Sequence, residues 1–305
     1  MSRKSSVIVI GGGAAGFFGA INCAIDNRNL TITILEASKK TLSKVKISGG
    51  GRCNVTHHCF NTKDLVGYYP RGGRELRGAF SRFQPQDTID WFTSRGVKLK
   101  TEADGRMFPT TNNSQTIIDC LTQTAEKLGI KVRTQSTVKD ITTQESGLFT
   151  VKLKSGEMME AQQVLIATGS SPLGYRWAEK LGHTIESPVP SLFTFKIKDD
   201  RLANLAGVSS PDVEVKIKIK KGKYLLQTGP LLITHWGVSG PAVLKLSAWG
   251  ARVLHGAKYR LPLTINWLPE YNQESIKQEL LAIKEKCKKQ KQVHRGKILS
   301  TTNNP

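Results

Sequence analysis

The feature that most constrains the fold lies at the start of the chain, where an apolar β-branched run passes through glycines into a helix. Residues 7–10 read Val-Ile-Val-Ile, which predicts a buried parallel strand, and a helix of small residues is predicted from Ala14 to Ile25. A second strand, predicted from Leu30 to Leu35, completes a β-α-β unit. Residues 5–25 carry no charge, but a membrane helix would not need the glycine break, so we expect a strand–turn–helix.

The glycines of this turn match a dinucleotide-binding fingerprint. The first glycine makes the tight turn, the second lets a pyrophosphate approach the backbone, and the third lets helix and strand pack closely. An acid 20 residues after the third glycine, at the end of the second strand, can accept a hydrogen bond from a ribose hydroxyl. The predicted cofactor contacts of this unit are Gly11, Gly13, Ala15, Gly16 and Glu36.

The fingerprint alone does not choose between NAD and FAD. A further apolar strand, Val164 to Ala167, runs into Thr168-Gly169 and resembles the second dinucleotide-contacting strand of flavoproteins with two dinucleotide folds. Val138 follows a long helical segment, where such proteins often meet the adenine through backbone groups. This resemblance favours FAD and adds Val138, Ala167, Thr168 and Gly169 to the predicted contacts.

The rest of the chain suggests two domains, a dinucleotide-binding domain over residues 1–187 and a β-rich domain over residues 188–305. In the first, residues 38–69 are expected to form long loops, residues 85–95 and 114–128 helices, and residues 105–109 a turn. In the second, apolar and charged residues alternate over residues 213–220, which predicts a half-buried strand with a basic outer face. A basic amphipathic helix is predicted from Gln273. The expected fold class is α/β, with a Rossmann-type parallel sheet and a β-rich domain that ends in a helix.

Three segments resemble one bacterial flavoprotein family, the BaiN/RdsA-like (YhiN-type) NAD(P)/FAD-dependent oxidoreductases. They are KVKISGGGRCNVT at 44–56, GRMFP at 105–109 and THWGVSGP at 234–241, and the likeness runs from Val7 to about Trp249. It implies a Rossmann-type FAD-binding domain with an inserted substrate-side region. Relatives continue beyond the point matching this C-terminus and return to the flavin. The resemblance therefore predicts that this chain lacks the return segment and has an open flavin pocket.

The glycine-rich loop of the first segment makes chemical sense by itself. Successive glycines let backbone amides approach a flat ring or a phosphate, and an arginine offers a planar fork to an oxyanion. With the residues that the resemblance adds, the predicted cofactor contacts of this loop are Lys44, Gly49, Gly50, Gly51, Arg52 and Asn54.

Two residues are candidates for catalysis. Cys53 lies inside this loop, and we expect the neighbouring arginine to favour its thiolate; the alternative is a small buried filler. His235, between Thr234 and Trp236, could reach a flavin or a substrate carbonyl, although such a histidine often only holds a loop. The resemblance implies reduction of a carbon–carbon double bond conjugated to a carbonyl. In that reaction Cys53 is the first candidate acid and His235 the second.

The charge of the chain bears on its partners. Lysine and arginine number 45 against 24 acids, a formal charge of +21 with an isoelectric point near 9.9, and such a field attracts polyanions. Lys216, Lys218 and Lys220, extended by Lys221 and Lys223, are expected to form a basic strand edge, and residues 277–297 hold eight basic residues. Ribosomal RNA could gain phosphate contacts from both regions, with Trp236 or Tyr224 stacking on a base.

Three functions stay open at this point. The first is a flavin reductase acting on uracil in ribosomal RNA, of the dihydrouridine synthase type. The second is a small-molecule NAD(P)H/FAD oxidoreductase, and the third is a truncated, non-catalytic remnant that binds RNA or a protein. The sequence does not identify the electron donor. Only one complete glycine fingerprint is present, so a dedicated nicotinamide domain is not expected, and NAD(P)H is a candidate donor that could dock transiently on the flavin.

The cysteines indicate the compartment. There are five, their spacings match no zinc template, and no secretory leader precedes them, so we expect a reducing, cytoplasmic location, no metal and no membrane partner.

Overall fold

The computed structural model describes residues 5–220 and 222–290, and the chain divides between Glu186 and Ser187 into two compact units. The first unit contains, in chain order, β1 (Ser6–Ile10), α1 (Ala14–Asp26), β2 (Thr31–Leu35), α2 (Ser43–Ile47), β3 (Thr56–His57), α3 (Thr62–Gly67), α4 (Gly73–Phe80), α5 (Pro85–Thr93), β4 (Leu99–Thr101), β5 (Arg106–Pro109), α6 (Ser114–Lys127), β6 (Lys131–Arg133), β7 (Val138–Thr143), β8 (Phe149–Leu153), β9 (Met158–Ala161), β10 (Gln163–Ile166) and α7 (Pro172–Lys180).

The central element of the first unit is a four-stranded parallel sheet in the order β10-β1-β2-β6. Strand β1 is apolar on both faces. This is because α1 and α6 cover one face of the sheet and the β7-β8-β9 sheet packs against the other. Ile10, the last residue of β1, is in register with Leu35 of β2 and Ile166 of β10. The carboxyl ends of three strands therefore meet at one edge, where parallel α/β sheets bind their ligands.

Two smaller antiparallel sheets complete this unit, in the orders β3-β5-β4 and β7-β8-β9. Two sequence predictions were wrong here. Residues 105–109 were predicted as a turn, but Arg106–Pro109 form strand β5, since pairing with β3 and β4 supplies distant partners that no local pattern reveals. Residues 38–69, predicted as loops, include α2, α3, β3 and a 3₁₀ turn at Ser48–Gly51. These pieces are too short to produce a periodic apolar pattern.

The second unit contains β11 (Phe195–Lys196), a 3₁₀ turn (Asp200–Leu202), β12 (Ser209–Lys220), β13 (Lys223–Thr234), β14 (Gly237–Ser239), α8 (Pro241–Trp249), α9 (Ala251–Gly256), β15 (Leu263–Asn266) and α10 (Gln273–Gln290). Its strands form one antiparallel sheet in the order β11-β14-β13-β12-β15, covered on its apolar face by α8. The parallel sheet, the antiparallel sheet and the final helix confirm the predicted fold class.

Strand β12 shows the predicted alternation. Val213, Val215 and Ile217 are buried, and the basic residues between and after them are more exposed. The prediction that these lysines form a strand edge was wrong for Lys216, which is paired with Leu226 of β13 and Thr264 of β15. Lys218 and Lys220 are paired with β13 alone, because the pairing with β15 ends at Ile217. Of the predicted basic regions, Lys221 and residues 291–297 lie outside the described residues.

Two kinds of feature are absent from residues 5–220 and 222–290, a membrane-spanning helix and a cluster of metal ligands. No helix among them has both the length and the apolar character needed to cross a membrane. No group of three or more histidine, cysteine or acidic side chains in the same residues is arranged to hold a metal ion.

Candidate dinucleotide and active site

The glycine turn after β1 is held by two contacts that exclude side chains. Gly11 has a φ of 114°, and a Cβ built there would lie 2.4 Å from the carbonyl oxygen of Ala167. A Cβ on Gly16 would lie 1.9 Å from the carbonyl oxygen of Gly11. The first and third glycines therefore let α1 begin against the ends of β1 and β10.

Gly13 is different, because a Cβ built there would meet nothing within 4 Å. It is the N-cap of α1, whose first backbone N–H groups have no partners inside the helix and carry the positive end of the helix dipole. An open backbone at this point can receive a pyrophosphate. The residues present therefore fit the phosphates of a dinucleotide.

Glu36, at the end of β2, ties the turn to the next loop. Its Oε2 accepts a hydrogen bond from the backbone N–H of Gly12 at 2.8 Å, and its Oε1 accepts one from Ser38 at 2.8 Å. Burial raises the pKa of Glu36, but hydrogen bonds from Ser38, Gly12 and Ala37 outweigh it and leave the pKa below its ordinary value. The carboxylate is therefore ionised at neutral pH and keeps lone pairs for a ribose hydroxyl.

A cavity of about 1010 Å³ opens at this edge of the sheet. Its lining includes ten residues that the sequence singled out, namely Gly11, Gly13, Ala15, Glu36, Lys44, Cys53, Asn54, Ala167, Thr168 and Gly169. Its apolar part is lined by Phe18, Phe83, Phe92, Ile117 and Leu121. A cavity of this size with a few converging polar groups is typical of a cofactor site.

Lys44 and the β10–α7 turn form one side of the cavity. Lys44 Nζ donates to Ser170 Oγ at 3.2 Å, and the same nitrogen would be 3.6 Å from a Cβ on Gly169. A Cβ on Gly174 would lie 2.0 Å from Thr168 Oγ1, so this glycine lets α7 start close to the strand end. The positive charge of Lys44 is thus held beside the glycine turn, where it would favour an anion.

Cys53 is buried and lines the cavity. Its backbone N–H donates to the carbonyl oxygen of Ser48 at 3.0 Å. Burial raises the pKa of the Cys53 thiol, partly offset by a side-chain hydrogen bond with Ser48. The expectation of a thiolate was therefore wrong, because desolvation disfavours the charged form. A protonated thiol can still act as an acid.

The neighbouring arginine does not promote the thiolate either, since its side chain is engaged elsewhere. Arg52 forms an ion pair with Glu102, and its guanidinium lies 4.0 Å from the centre of the Phe108 ring. These contacts join the glycine-rich loop to β5.

Several predicted cofactor contacts do not line the cavity. Gly49, Gly50 and Gly51 have positive φ angles, and a Cβ on Gly49 would lie 2.9 Å from the backbone nitrogen of Asn54. Arg52 and Gly16 are also absent from the lining, and so is Val138 of β7, whose side chain is buried in a core shared with β1, β2 and β8. Their contacts with a cofactor stay predictions.

Asn54 borders the cavity and fastens the loop below it. With its amide nitrogen facing the carbonyls, Nδ2 donates to the carbonyl oxygens of Met107 at 3.2 Å and Thr56 at 3.0 Å. The side-chain oxygen is then left to accept a hydrogen bond from a ligand.

His235 lies in the second unit, in the two-residue turn between β13 and β14. It is exposed, as is Trp236, whose carbonyl oxygen accepts a hydrogen bond from Ile197 at 2.9 Å. The catalytic role of His235 stays a prediction.

Sequence reasoning missed the apolar part of the cavity. Ile117 and Leu121 are four residues apart on α6, so their spacing indicates only a buried helix face. Phe83 lies between α4 and α5, where no periodic pattern exists. These side chains become a binding surface only through tertiary packing.

Comparison with known proteins gives a consistent picture. The family model described as "HI0933-like protein Rossmann domain" matches residues 5–249. A 3-dehydro-bile acid delta(4,6)-reductase of Clostridium scindens is 27% identical, over 92% of this chain and 68% of its own length. A ribosomal RNA dihydrouridine synthase of Escherichia coli is 31% identical, over 81% of this chain and 61% of its own length. The same-named protein of Haemophilus influenzae is 30% identical, over 81% of this chain and 62% of its own length.

The chain thus spans about two thirds of the length of these relatives, or slightly less. Among solved structures, the 3-ketosteroid-delta4-(5alpha)-dehydrogenase of Rhodococcus jostii aligns with 17% identity and a TM-score of 0.39, over 56% of this chain and 47% of that one. Because the family model covers most of the sequence, the chain belongs to the HI0933-like family of FAD-dependent oxidoreductases.

Proposed function

We propose that the first unit binds FAD and that the protein reduces a carbon–carbon double bond conjugated to a carbonyl. The observation that carries the proposal is the cavity at the carboxyl ends of β1, β2 and β10, with an open Gly13 and an ionised Glu36 on its wall. The names of the relatives support the reaction class, since one is a delta(4,6)-reductase and two are dihydrouridine synthases.

The residues of the cavity have distinct tasks in this proposal. Glu36 holds a ribose of the cofactor, while Gly13 and the start of α1 receive the pyrophosphate with the help of Lys44. The apolar wall around Phe18 and Phe92 excludes water from the other end of the site. FAD held by these residues and reduced by NAD(P)H would supply hydride-transfer chemistry for the reduction of the double bond.

The proton for the α-carbon is assigned to Cys53. Its thiol lines the same cavity, and the raised pKa keeps the proton on Sγ at neutral pH. A general acid must be protonated before the reaction and lie within reach of the carbon that it protonates. His235 is the second candidate acid.

For the substrate we propose uracil in ribosomal RNA, in the cytoplasm. The net charge of +21 favours a polyanion. In the second unit, Lys218 and Tyr224 face each other across β12 and β13, and Lys216 Nζ lies 5.7 Å from the centre of the Tyr224 ring. Cations beside an exposed aromatic ring are the groups that bind a phosphate backbone and stack on a base.

A small apolar substrate is the second candidate. The cavity wall formed by Phe18, Phe83 and Phe92 favours it, because such rings bind apolar ring systems by contact area. It requires no excess of basic charge.

The visible absorption spectrum tests these proposals. Purified protein supplied with FAD should show a flavin spectrum that bleaches on anaerobic addition of NADPH. Formation of dihydrouridine in ribosomal RNA would then support the RNA substrate. Turnover of an enone without any reaction on RNA would favour the small molecule. A protein that stays colourless in excess FAD would exclude a flavoenzyme and leave a non-catalytic binding protein.

A further inference from the structure

A second arginine-rich region lies in the first unit, around α4. The segment from Gly67 to Phe83 contains four arginines and a single acid, Glu75. We define the α4 arginine surface as Arg74, Arg77 and Arg82, all of which are exposed. It is separate in sequence from the basic strands of the second unit.

Helix α4 leaves the side chains of Arg74 and Arg77 exposed to solvent, and Arg82 lies two residues beyond the end of the helix. Arg74 and Arg77 are three residues apart on α4 and so share one side of it. An adjoining side carries Leu76 and Phe80, which are four residues apart and partly buried, and the Phe80 ring lies 5.5 Å from that of Tyr69. Since the apolar side holds the helix to the unit, the charged side is free to meet a ligand.

Among the described residues, these three arginines have no carboxylate partner in an ion pair, whereas several other arginines do. Arg52, Arg133 and Arg201 each pair with a carboxylate within 2.7 Å. Within the part of the chain that the structure describes, no carboxylate lies within 4.0 Å of Arg74, Arg77 or Arg82. Their charge is not neutralised by the protein and is available to an anion.

The segment borders the cofactor cavity. Phe83, which follows Arg82 directly, lines the cavity and contacts Phe18 edge-on with the ring centres 5.4 Å apart. Tyr68 and Tyr69, just before α4, are 63% and 41% exposed. Large exposed rings beside unpaired arginines are the combination that binds single-stranded nucleic acid.

We propose that the α4 arginine surface binds the phosphate backbone of single-stranded RNA whose target base enters the cavity beside Phe83. Arginine recognises phosphate through a planar fork of donors, and the tyrosines offer stacking faces to the flanking bases. This inference rests on the proposed function and adds the part of the first unit that holds the substrate. A nicotinamide dinucleotide also carries phosphates and is the competing ligand.

The test compares two variants that each remove two positive charges. Arg74→Gln/Arg77→Gln changes the surface, and Lys139→Gln/Lys154→Gln changes exposed lysines outside the cavity lining. Binding of a fluorescein-labelled, uridine-containing single-stranded RNA is measured by anisotropy over a range of salt concentrations. The arginine variant should bind about tenfold more weakly near 0.1 M salt, and its slope of log affinity against log salt should fall by about 1.4 relative to the wild type. The lysine variant should keep the wild-type slope.

Equal losses in both variants, or no loss in either, would overturn the inference. So would an arginine variant with unchanged RNA affinity that needs more NADPH to bleach its flavin, because the surface would then dock the electron donor. The flavin spectrum separates this inference from the proposed function. If the protein stays colourless but its RNA affinity still depends on Arg74 and Arg77, the proposal that the α4 arginine surface binds RNA stands. The proposal that the protein is a flavin-dependent reductase is then refuted.

Discussion

Glu36 braces the glycine turn directly, with its Oε2 2.8 Å from the backbone nitrogen of Gly12. The Glu36→Gln variant can accept through only one atom, so either Gly12 or Ser38 loses its hydrogen bond. An unsatisfied, partly buried amide costs about 1–3 kcal/mol, and we expect a loss of stability in this range together with weaker FAD binding. Urea unfolding and FAD titration measure the two effects. Glu145→Gln, at an exposed position, is the matched control and should behave like the wild type.

The same carboxylate predicts a pH dependence. Because the pKa of Glu36 is lowered from 4.5 in the folded protein, its contribution to stability is complete above pH 4.5 and is lost as the pH falls through the lowered pKa. The Glu36→Gln variant cannot lose this contribution. Its free energy of unfolding should therefore fall less than that of the wild type between pH 7 and pH 3. Parallel curves for the two proteins would refute the assignment.

Two glycines of one turn should lose very different amounts of stability when replaced by alanine. In Gly16→Ala the new Cβ would lie 1.9 Å from the carbonyl oxygen of Gly11, so α1 must move away from β1. We expect a loss of about 3 kcal/mol or more, or failure to fold. Gly13→Ala meets no atom within 4 Å and should cost at most about 1 kcal/mol while weakening FAD binding. Thermal unfolding and FAD titration of both variants decide the matter, and equal stability of the two would contradict the close packing.

Cys53 should be slow to react with an alkylating agent. Its burial raises the pKa of the thiol, and the thiolate is the reactive form. Mapping of iodoacetamide modification by mass spectrometry at pH 7.5 should find Cys53 modified after the partly exposed Cys23 and Cys287. Saturating FAD should slow it further. Modification of Cys53 ahead of these two would show that the cavity admits the reagent freely.

If Cys53 is the acid, a serine at this position should slow product formation by about 10²-fold, a typical contribution of general acid catalysis. Serine is nearly isosteric, so the flavin content should be unchanged. The ratio of kcat values, measured with the flavin spectra of both proteins, tests the role. Full activity of Cys53→Ser would move the assignment to His235.

The glycine turn could be predicted from sequence because its signal is local. The apolar run of β1, the spacing of Gly11 and Gly16 and the acid at Glu36 all lie within one β-α-β unit, and each has a backbone or packing cause. The ends of α1 and α6 were predicted within a residue or two for the same reason.

The sequence predictions that were wrong concern features that depend on contacts between residues distant in the sequence. Strand β5 exists because Met107 pairs with Thr56 on one side and Thr101 on the other. The protonated state of Cys53 depends on burial, and the charge of Arg52 is directed to Glu102, fifty positions away in the chain. No sequence periodicity encodes such partners. Because Arg52 precedes Cys53 in the sequence, we expected its charge to stabilise the Cys53 thiolate, but in the fold Arg52 pairs with Glu102.

The backbone at Cys53 adopts a conformation that is unfavourable for a residue with a side chain. Its φ of 62° lies in the left-handed region, as does that of each of the three glycines from Gly49 to Gly51. A residue with a Cβ is about 1–2 kcal/mol less favourable than glycine in this conformation. Glycine would thus suit the chain better at position 53, and the loop gives up part of its own stability to keep a side chain there. A strained position that keeps a thiol on a cavity wall supports the proposal that this sulfur takes part in the reaction.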